Sequence, residues 1–147
     1  MEDILTFTTD DTRWLSNMYY VGIEYNGLVY PSTENFYQAM KYKSELTRKL
    51  ISTLKPQEAK MYSKNNTMTN DKFEERKLEI MLYAQRKKYS QEPFKSKLLS
   101  IGDCLIEEGN WWGDKFWGVD IKTREGENHL GKIIMQVREE LNNDNSK

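Results

Sequence analysis

In this chain of 147 residues, four places carry residue types whose spacing could do chemistry. Glu34, Gln38 and Lys41 recur at helical intervals. At 100° per residue they fall within about 80° of one another, with Phe36, Ala39 and Met40 opposite. That face is either a solvated stripe or a carboxylate and an amine presented together. The run Glu108 to Gly118, EGNWWGDKFWG, packs three Trp, one Phe and three Gly into eleven positions. Indole rings are costly to expose and glycine lets backbone approach a ligand closely. The run therefore suits a loop folded over a flat aromatic or sugar substrate, or else an aromatic plug between helices. Asp114, wedged among those rings, reads as a partly desolvated carboxylate and a candidate acid or base. Lys77 shares a helical arc with Phe73, Ile80, Met81 and Ala84. It either snorkels to the surface or offers a cation to an enclosed anion. Gly126-Glu127-Asn128-His129-Leu130-Gly131 sets a capping residue and two glycines around a helix start, where free backbone N–H groups can hold a phosphate.

The elements that position these residues are legible from turn and cap signals. Ile23 to Tyr25 and Leu28 to Tyr30 flank Asn26-Gly27, a dipeptide that tolerates positive φ and suits a two-residue hairpin. Pro31-Ser32-Thr33 then offers a hydroxyl cap for a helix from about Thr33 to Lys43. Pro56 opens a short helix toward Ser63. Asp71 and Glu74 form a capping-box pattern ahead of a long helix reaching Tyr89, and Ser90 to Pro93 start another to about Ser100. Cys104 to Ile106 is expected as a short strand. Leu130, Ile133, Ile134, Val137 and Leu141 make one apolar stripe on a last helix. The fold class expected is mainly α with a small β-hairpin or sheet (α+β). Residues 1–141 are expected to form a single domain, with 142–147 a frayed tail.

Composition narrows the functions open to the chain. The 22 basic and 23 acidic residues nearly cancel, which argues against strong non-specific nucleic-acid or membrane binding driven by bulk charge. Any anionic partner must be met locally. An aromatic content of 12% is too rich for a disordered chain, even at a mean hydropathy of −0.85. With Cys104 the sole cysteine and His129 the sole histidine, neither a disulfide nor a soft-metal cluster can be assembled, and no metal or cofactor is expected. The start MEDILTFTTDD lacks the apolar run of a signal peptide or membrane span. A cytoplasmic protein is expected, in a bacterial cell or in the cytoplasm of a virus-infected host.

Five motifs in order resemble the NADAR or YbiA-like N-glycosidase family. They are WLSNMYY at Trp14 to Tyr20, GLVYPSTENFYQAMK at Gly27 to Lys41, Gly102-Asp103, the block Asp114 to Gly118, and Gly126 to Gly131 followed by IIMQVRE. The stretch Thr69-Asn70-Asp71-Lys72-Phe73 departs from the family's usual spelling, whereas Lys77 matches a recurrent lysine. The resemblance implies a YbiA-like domain that cleaves the bond between a ribose C1 and a nitrogen. It implies one of two substrate classes: ADP-ribose on guanine, free or in nucleic acid, or phosphoribosylated intermediates of riboflavin synthesis. It also implies reactive positions at Glu34, Lys41 and Asp114. Around the ligand it places Trp14, Ser16, Asn17, Tyr37, Gln38, Trp117, Gly118 and Asn128, to which the loop and helix-start readings add Lys77, Trp111 and Gly131.

Breaking a ribose C–N bond develops positive charge on the sugar, which Glu34 or Asp114 could stabilise while orienting water. Lys41 could instead form a Schiff base at C1 once the ribose ring opens, with Glu34 shuttling protons. Sequence leaves both routes open. Two other classes also fit the residues. A module that binds ADP-ribose without cutting it would need no reactive carboxylate and amine. An interaction protein would use Trp111 and Trp112 as an interface patch.

Overall fold

The computed structural model describes residues 2–145, and the side chains of residues 2–144. The described residues form six α-helices, a hairpin and a two-residue parallel strand pair, so the α-rich α+β class is the one observed. They fall into two compact units, Asn17–Lys88 and the described parts of Met1–Ser16 with Tyr89–Lys147.

In the unit Asn17–Lys88, strands β1 (Ile23–Tyr25) and β2 (Leu28–Tyr30) pair antiparallel, Ile23 opposite Tyr30. Asn26 and Gly27 turn between them with φ of 49° and 80°, the pair of positive angles a type I′ turn demands. Helix α1 (Thr33–Ala39) follows at once, its first turn capped by the Ser32 hydroxyl, which accepts from the Asn35 N–H. All seven of its residues are buried. It stops short of the expected Lys43 because the carbonyls of Met40 and Lys41 are captured from outside. Asn70 Nδ2 donates to Met40 O at 2.9 Å, and the backbone N–H groups of Thr69 and Asn70 both donate to Lys41 O.

Helix α2 (Glu45–Ser52) has no counterpart in the sequence reading. Leu46, Leu50 and Ile51 share one face, but only Ile51 is buried and Leu46 is 81% exposed. Helix α3 (Pro56–Asn65) begins at its proline and runs two residues past Ser63, with Glu58 Oε1 accepting from the Lys55 N–H at 2.8 Å. Helix α4 (Phe73–Tyr89) spans 17 residues. The expected Asp71 cap is not what starts it. Asn70 accepts from the Phe73 and Lys72 N–H groups, while Asp71 lies 3.4 Å from the Lys43 ammonium. Tyr83 of α4 meets the rings of Tyr25 and Phe36 at centroid distances of 5.6 and 5.3 Å, tying α4 to the hairpin and to α1.

In the other unit, a 3₁₀ turn at Arg13–Leu15 precedes α5 (Phe94–Ser100) and α6 (His129–Asn145) in chain order. Where a strand was expected at Cys104 to Ile106, only Ile106 bridges, parallel to Ile4. Strands β3 (Gly109–Asn110) and β4 (Val119–Asp120) pair parallel beyond it. Leu130, Ile133, Ile134 and Val137 of α6 are buried, as the stripe predicts. The helix continues through the expected tail as far as Asn145, and Ser146 and Lys147 lie outside the described residues. No helix among the described residues is long and apolar enough to cross a membrane.

Asn35 is the single side chain on which α1 and α2 most depend. Fully buried, it donates to Ile51 O at 2.9 Å and Leu54 O at 2.8 Å and accepts from the Ser32 hydroxyl. Asn35→Ala takes the amide donor from Leu54 O and leaves Ile51 O with its backbone donors alone, so the stability lost is expected to be about 2 kcal/mol. Urea denaturation of the variant checks this, and a loss under about 1 kcal/mol would show that water replaces the amide.

Candidate active site

Because α1 is buried end to end, its polar face is not a solvated stripe. Glu34 is 9% exposed, and its Oε2 accepts from Gln38 Nε2 at 2.6 Å, one turn on. Gln38 in turn keeps a buried Oε1 with no hydrogen-bond partner, an acceptor left open beside the carboxylate. A buried carboxylate needs such donors, since its desolvation is otherwise costly.

Lys41 lies just beyond α1, half-buried, with Nζ 5.5 Å from the ring centroid of Tyr37 and 5.6 Å from that of Phe73. Those two rings pack edge-on at 5.1 Å. Burial pushes the Lys41 amine below the ordinary lysine range, and the nearby Lys77 ammonium pushes the same way, while Glu34 and Glu74 favour the charged form. Lys77 itself donates to Glu74 Oε2 at 2.9 Å, its side chain 24% exposed. The structure thus brings Glu34, Tyr37, Gln38, Lys41 and Lys77 into one neighbourhood: a desolvated carboxylate, an amine with a weakened hold on its proton, and a second cation. That set can move protons and attack electron-poor carbon.

Asn17 belongs to the same unit but is committed to α1. Its carbonyl accepts from the Glu34 N–H at 3.1 Å, and its Oδ1 accepts from Thr33 Oγ1 and from Gln85 Nε2, each at 2.7 Å. Gln85, absent from the sequence reading, is a fully buried amide on α4. One signal pointed to it, a glutamine four residues after Met81 on the helix's apolar arc.

The remaining candidates lie in the other unit. Trp14 is buried, donates to Asp11 O at 2.9 Å and meets Tyr89 edge-on. Ser16 follows the 3₁₀ turn, its N–H donating to Arg13 O. Asp114 organises its own loop. Its Oδ1 accepts from the Phe116 and Trp117 N–H groups at 3.1 and 2.9 Å, while Asn110 grips its backbone from both sides. The aromatic run splits in two. Phe116 and Trp117 pack on each other, with Phe116 against the His129 ring, whereas Trp111 and Trp112 are 67% and 50% exposed, edge-on to each other at 5.0 Å.

At the start of α6 the phosphate reading fails. The N–H groups of Glu127, Asn128, His129 and Leu130 already donate to the carbonyls of Lys115, Gly118, Phe116 and Trp117. The Asn128 side chain is also occupied, donating to Ile106 O at 2.9 Å and accepting from the Glu108 N–H. Gly131 and Gly118 are held to hydrogen by backbone, since a Cβ would strike Ile106 O at the first and Glu108 O at the second.

The electrostatics around Lys41 can be read directly. In an NMR titration, the Lys41 ε-methylene midpoint is expected below the ordinary lysine value of about 10.4. Lys77→Met should move it up and Glu34→Gln should move it down. An unshifted midpoint in both variants would place Lys41 outside their influence.

Comparison with known proteins matches these features to a family. The NADAR domain model covers residues 6–142. The chain is 33% identical over 147 residues to a riboflavin biosynthesis protein of Vibrio vulnificus, covering 96% of this chain but 39% of that protein's length. It is 30% identical to the N-glycosidase YbiA of Shigella boydii, covering 91% of this chain and 84% of the relative. The solution NMR structure of Escherichia coli YbiA superimposes with a TM-score of 0.84 at 25% identity, over all of this chain and 90% of that one. The buried carboxylate–amine face of α1 thus sits within a match that runs nearly end to end, and the chain belongs to the NADAR family.

Proposed function

We propose that the chain is an N-glycosidase that hydrolyses the bond between ribose C1 and a guanine nitrogen, removing ADP-ribose from guanine carried in nucleic acid. The observation that carries the N-glycosidase reading is the buried Glu34 beside the depressed Lys41 amine. A module that only recognised ADP-ribose would gain nothing from a desolvated carboxylate next to an amine made easier to deprotonate. The N-glycosidase names of the YbiA relatives agree with it.

The guanine and nucleic-acid part of the reading draws on charge and exposure. From Lys41 to Lys64 seven basic residues stand against two acidic ones, a local +5 in a chain of net −1. Lys49, Lys55 and Lys64 on or beside α2 and α3 are exposed. A stretch of that kind meets a polyanion locally, which the balanced total charge obscures. The exposed Trp111 and Trp112 rings supply the kind of surface on which bases stack.

In the mechanism we favour, Lys41 is the nucleophile. Ring opening breaks the C1–O4′ bond as O4′ takes a proton from water and becomes a hydroxyl, leaving C1 as an iminium carbon on the guanine nitrogen, and neutral Lys41 Nζ adds to that carbon. Glu34 takes the proton that Lys41 releases and passes it to the departing guanine nitrogen. The C1–N bond to guanine breaks and a Schiff base to Lys41 remains. Water adds to that Schiff base, regenerating the amine and freeing the sugar with oxygen on C1. The aromatic rings of Tyr37 and Phe73 flank the amine on the low-dielectric side and restrict its approach.

A second substrate reading has its own support. The relative from Vibrio vulnificus is named for riboflavin biosynthesis, so a phosphoribosylated aminopyrimidine is the competing substrate. Assaying both substrates side by side decides, with the ADP-ribosylated guanine oligonucleotide expected to turn over faster. A strong preference for the aminopyrimidine would reverse the assignment.

Glu34→Gln is expected to lower kcat by about 10²-fold or more with the thermal midpoint unchanged, because the charge is lost while shape and one acceptor remain. Borohydride added during turnover is expected to fix the sugar to Lys41, seen as a mass increase on the peptide that carries it. Undiminished cleavage by Glu34→Gln would remove Glu34 from the chemistry, and turnover without any adduct would favour water attack directed by the carboxylate.

A further inference from the structure

The carboxylate that the proposed mechanism relies on is held through its backbone by Asn17, a residue that another helix anchors in turn. Glu34 is the second residue of α1, and its N–H donates to the carbonyl of Asn17. Thr33, the first residue, donates its hydroxyl to Asn17 Oδ1 at 2.7 Å. Asn17 is thus the clamp on the first turn of the helix, and α4 anchors the clamp at two atoms, a long contact from Asn17 Nδ2 to Met81 Sδ at 3.7 Å and a short bond to Asn17 Oδ1. Gln85 Nε2, from α4, donates to the same Oδ1 at 2.7 Å and lies 3.3 Å from Met81 Sδ.

Gln85 is fully buried, and its Oε1 finds no hydrogen-bond partner. An unsatisfied buried carbonyl is a cost to the fold. A methionine of similar length would fill the same space without that cost. The amide's short hydrogen bond goes to Asn17, and its other acceptor is the weak one of the Met81 sulfur. Polar groups kept at the expense of stability are characteristic of sites where function sets the residue.

We propose that Gln85 is a positioning residue for Glu34, acting through Asn17 to fix the first turn of α1. This rests on the reading of Glu34 as the proton-shuttling carboxylate. Losing the Gln85 donor leaves Asn17 Oδ1 with Thr33 alone and the Asn17 amide with only the long contact to Met81 Sδ, so the short hydrogen bond that ties the start of α1 to α4 is gone. Misplacing a reacting carboxylate by a fraction of an ångström slows the chemical step with little change in substrate binding.

The test uses the full chain and two variants, Gln85→Met and Gln85→Glu. Gln85→Met is expected to keep or raise the thermal midpoint while lowering kcat about tenfold or more, with KM within about twofold. In a Glu34→Gln background the same change should have no further effect on kcat, since the two act in series. A carboxyl group buried at this position donates to Asn17 only as the neutral acid, so Gln85→Glu should recover rate as pH falls and lose it as pH rises.

A readout without substrate keeps this separable from the proposed reaction. Glu34 holds the Lys41 titration up. If Gln85 positions Glu34, the Lys41 midpoint falls in Gln85→Met, as it does in Glu34→Gln, whether or not the chain acts on guanine adducts. A wild-type kcat and Lys41 midpoint in Gln85→Met would overturn the proposal. So would a joint fall of kcat and thermal midpoint with no pH-dependent recovery in Gln85→Glu, which is the pattern of a merely structural residue.

Discussion

A helix of seven residues that is buried along its whole length, yet carries Glu34, Asn35 and Gln38, imposes the constraint from which much of unit Asn17–Lys88 follows. Each polar group on it must find a partner inside the protein or pay its full desolvation cost. Asn35 meets this by holding the end of α2, and Gln38 by donating to Glu34. Thr33 and the Glu34 backbone meet it through Asn17. Helix α2 and, through Asn17, α4 are thereby fastened to one short segment. The network that satisfies the helix is the same network that leaves a carboxylate desolvated beside Lys41.

Much of this was legible in the sequence, for reasons that differ by element. The Asn26-Gly27 turn, the Ser32 cap and the α6 stripe were readable because each depends on neighbours within a few residues. The end of α1 was not, because distant donors from Thr69 and Asn70 take the carbonyls of Met40 and Lys41 just past it. Helix α2 escaped notice although Leu46, Leu50 and Ile51 share one face and Ser44 caps it, because its eight residues are mostly polar and only Ile51 is buried. The pairing of Glu34, Gln38 and Lys41 was visible as spacing, but whether the face was wet or buried is a tertiary fact. Gln85 showed only as a polar residue on an apolar arc, four after Met81; its importance lies in its partner Asn17, which is again a tertiary fact.

The helix-start and loop motifs teach a related lesson. Gly126 to Gly131 has the composition of an anion cradle, yet its amides are engaged by the carbonyls of the 115–118 segment. Asp114 sits among aromatic residues in sequence, but its carboxylate is turned onto its own backbone. In both cases glycine and carboxylate serve a tight crossing of chain segments. The same residue types would look alike in a binding loop, and only the partners distinguish the two.

The way Lys41 is held joins its two ends to one short stretch of chain. Thr69 and Asn70 grip its carbonyl with their main-chain N–H groups, Asn70 adds a side-chain bond to Met40 O, and the Phe73 ring lies 5.6 Å from its Nζ. Five residues, Thr69 to Phe73, thus fix both the backbone beneath the amine and an apolar wall beside it. A change of side chain at Thr69 leaves the two main-chain bonds to Lys41 standing, whereas one at Phe73 alters the surroundings of the amine directly. The stretch therefore has a scaffolding end and an end that tunes the amine.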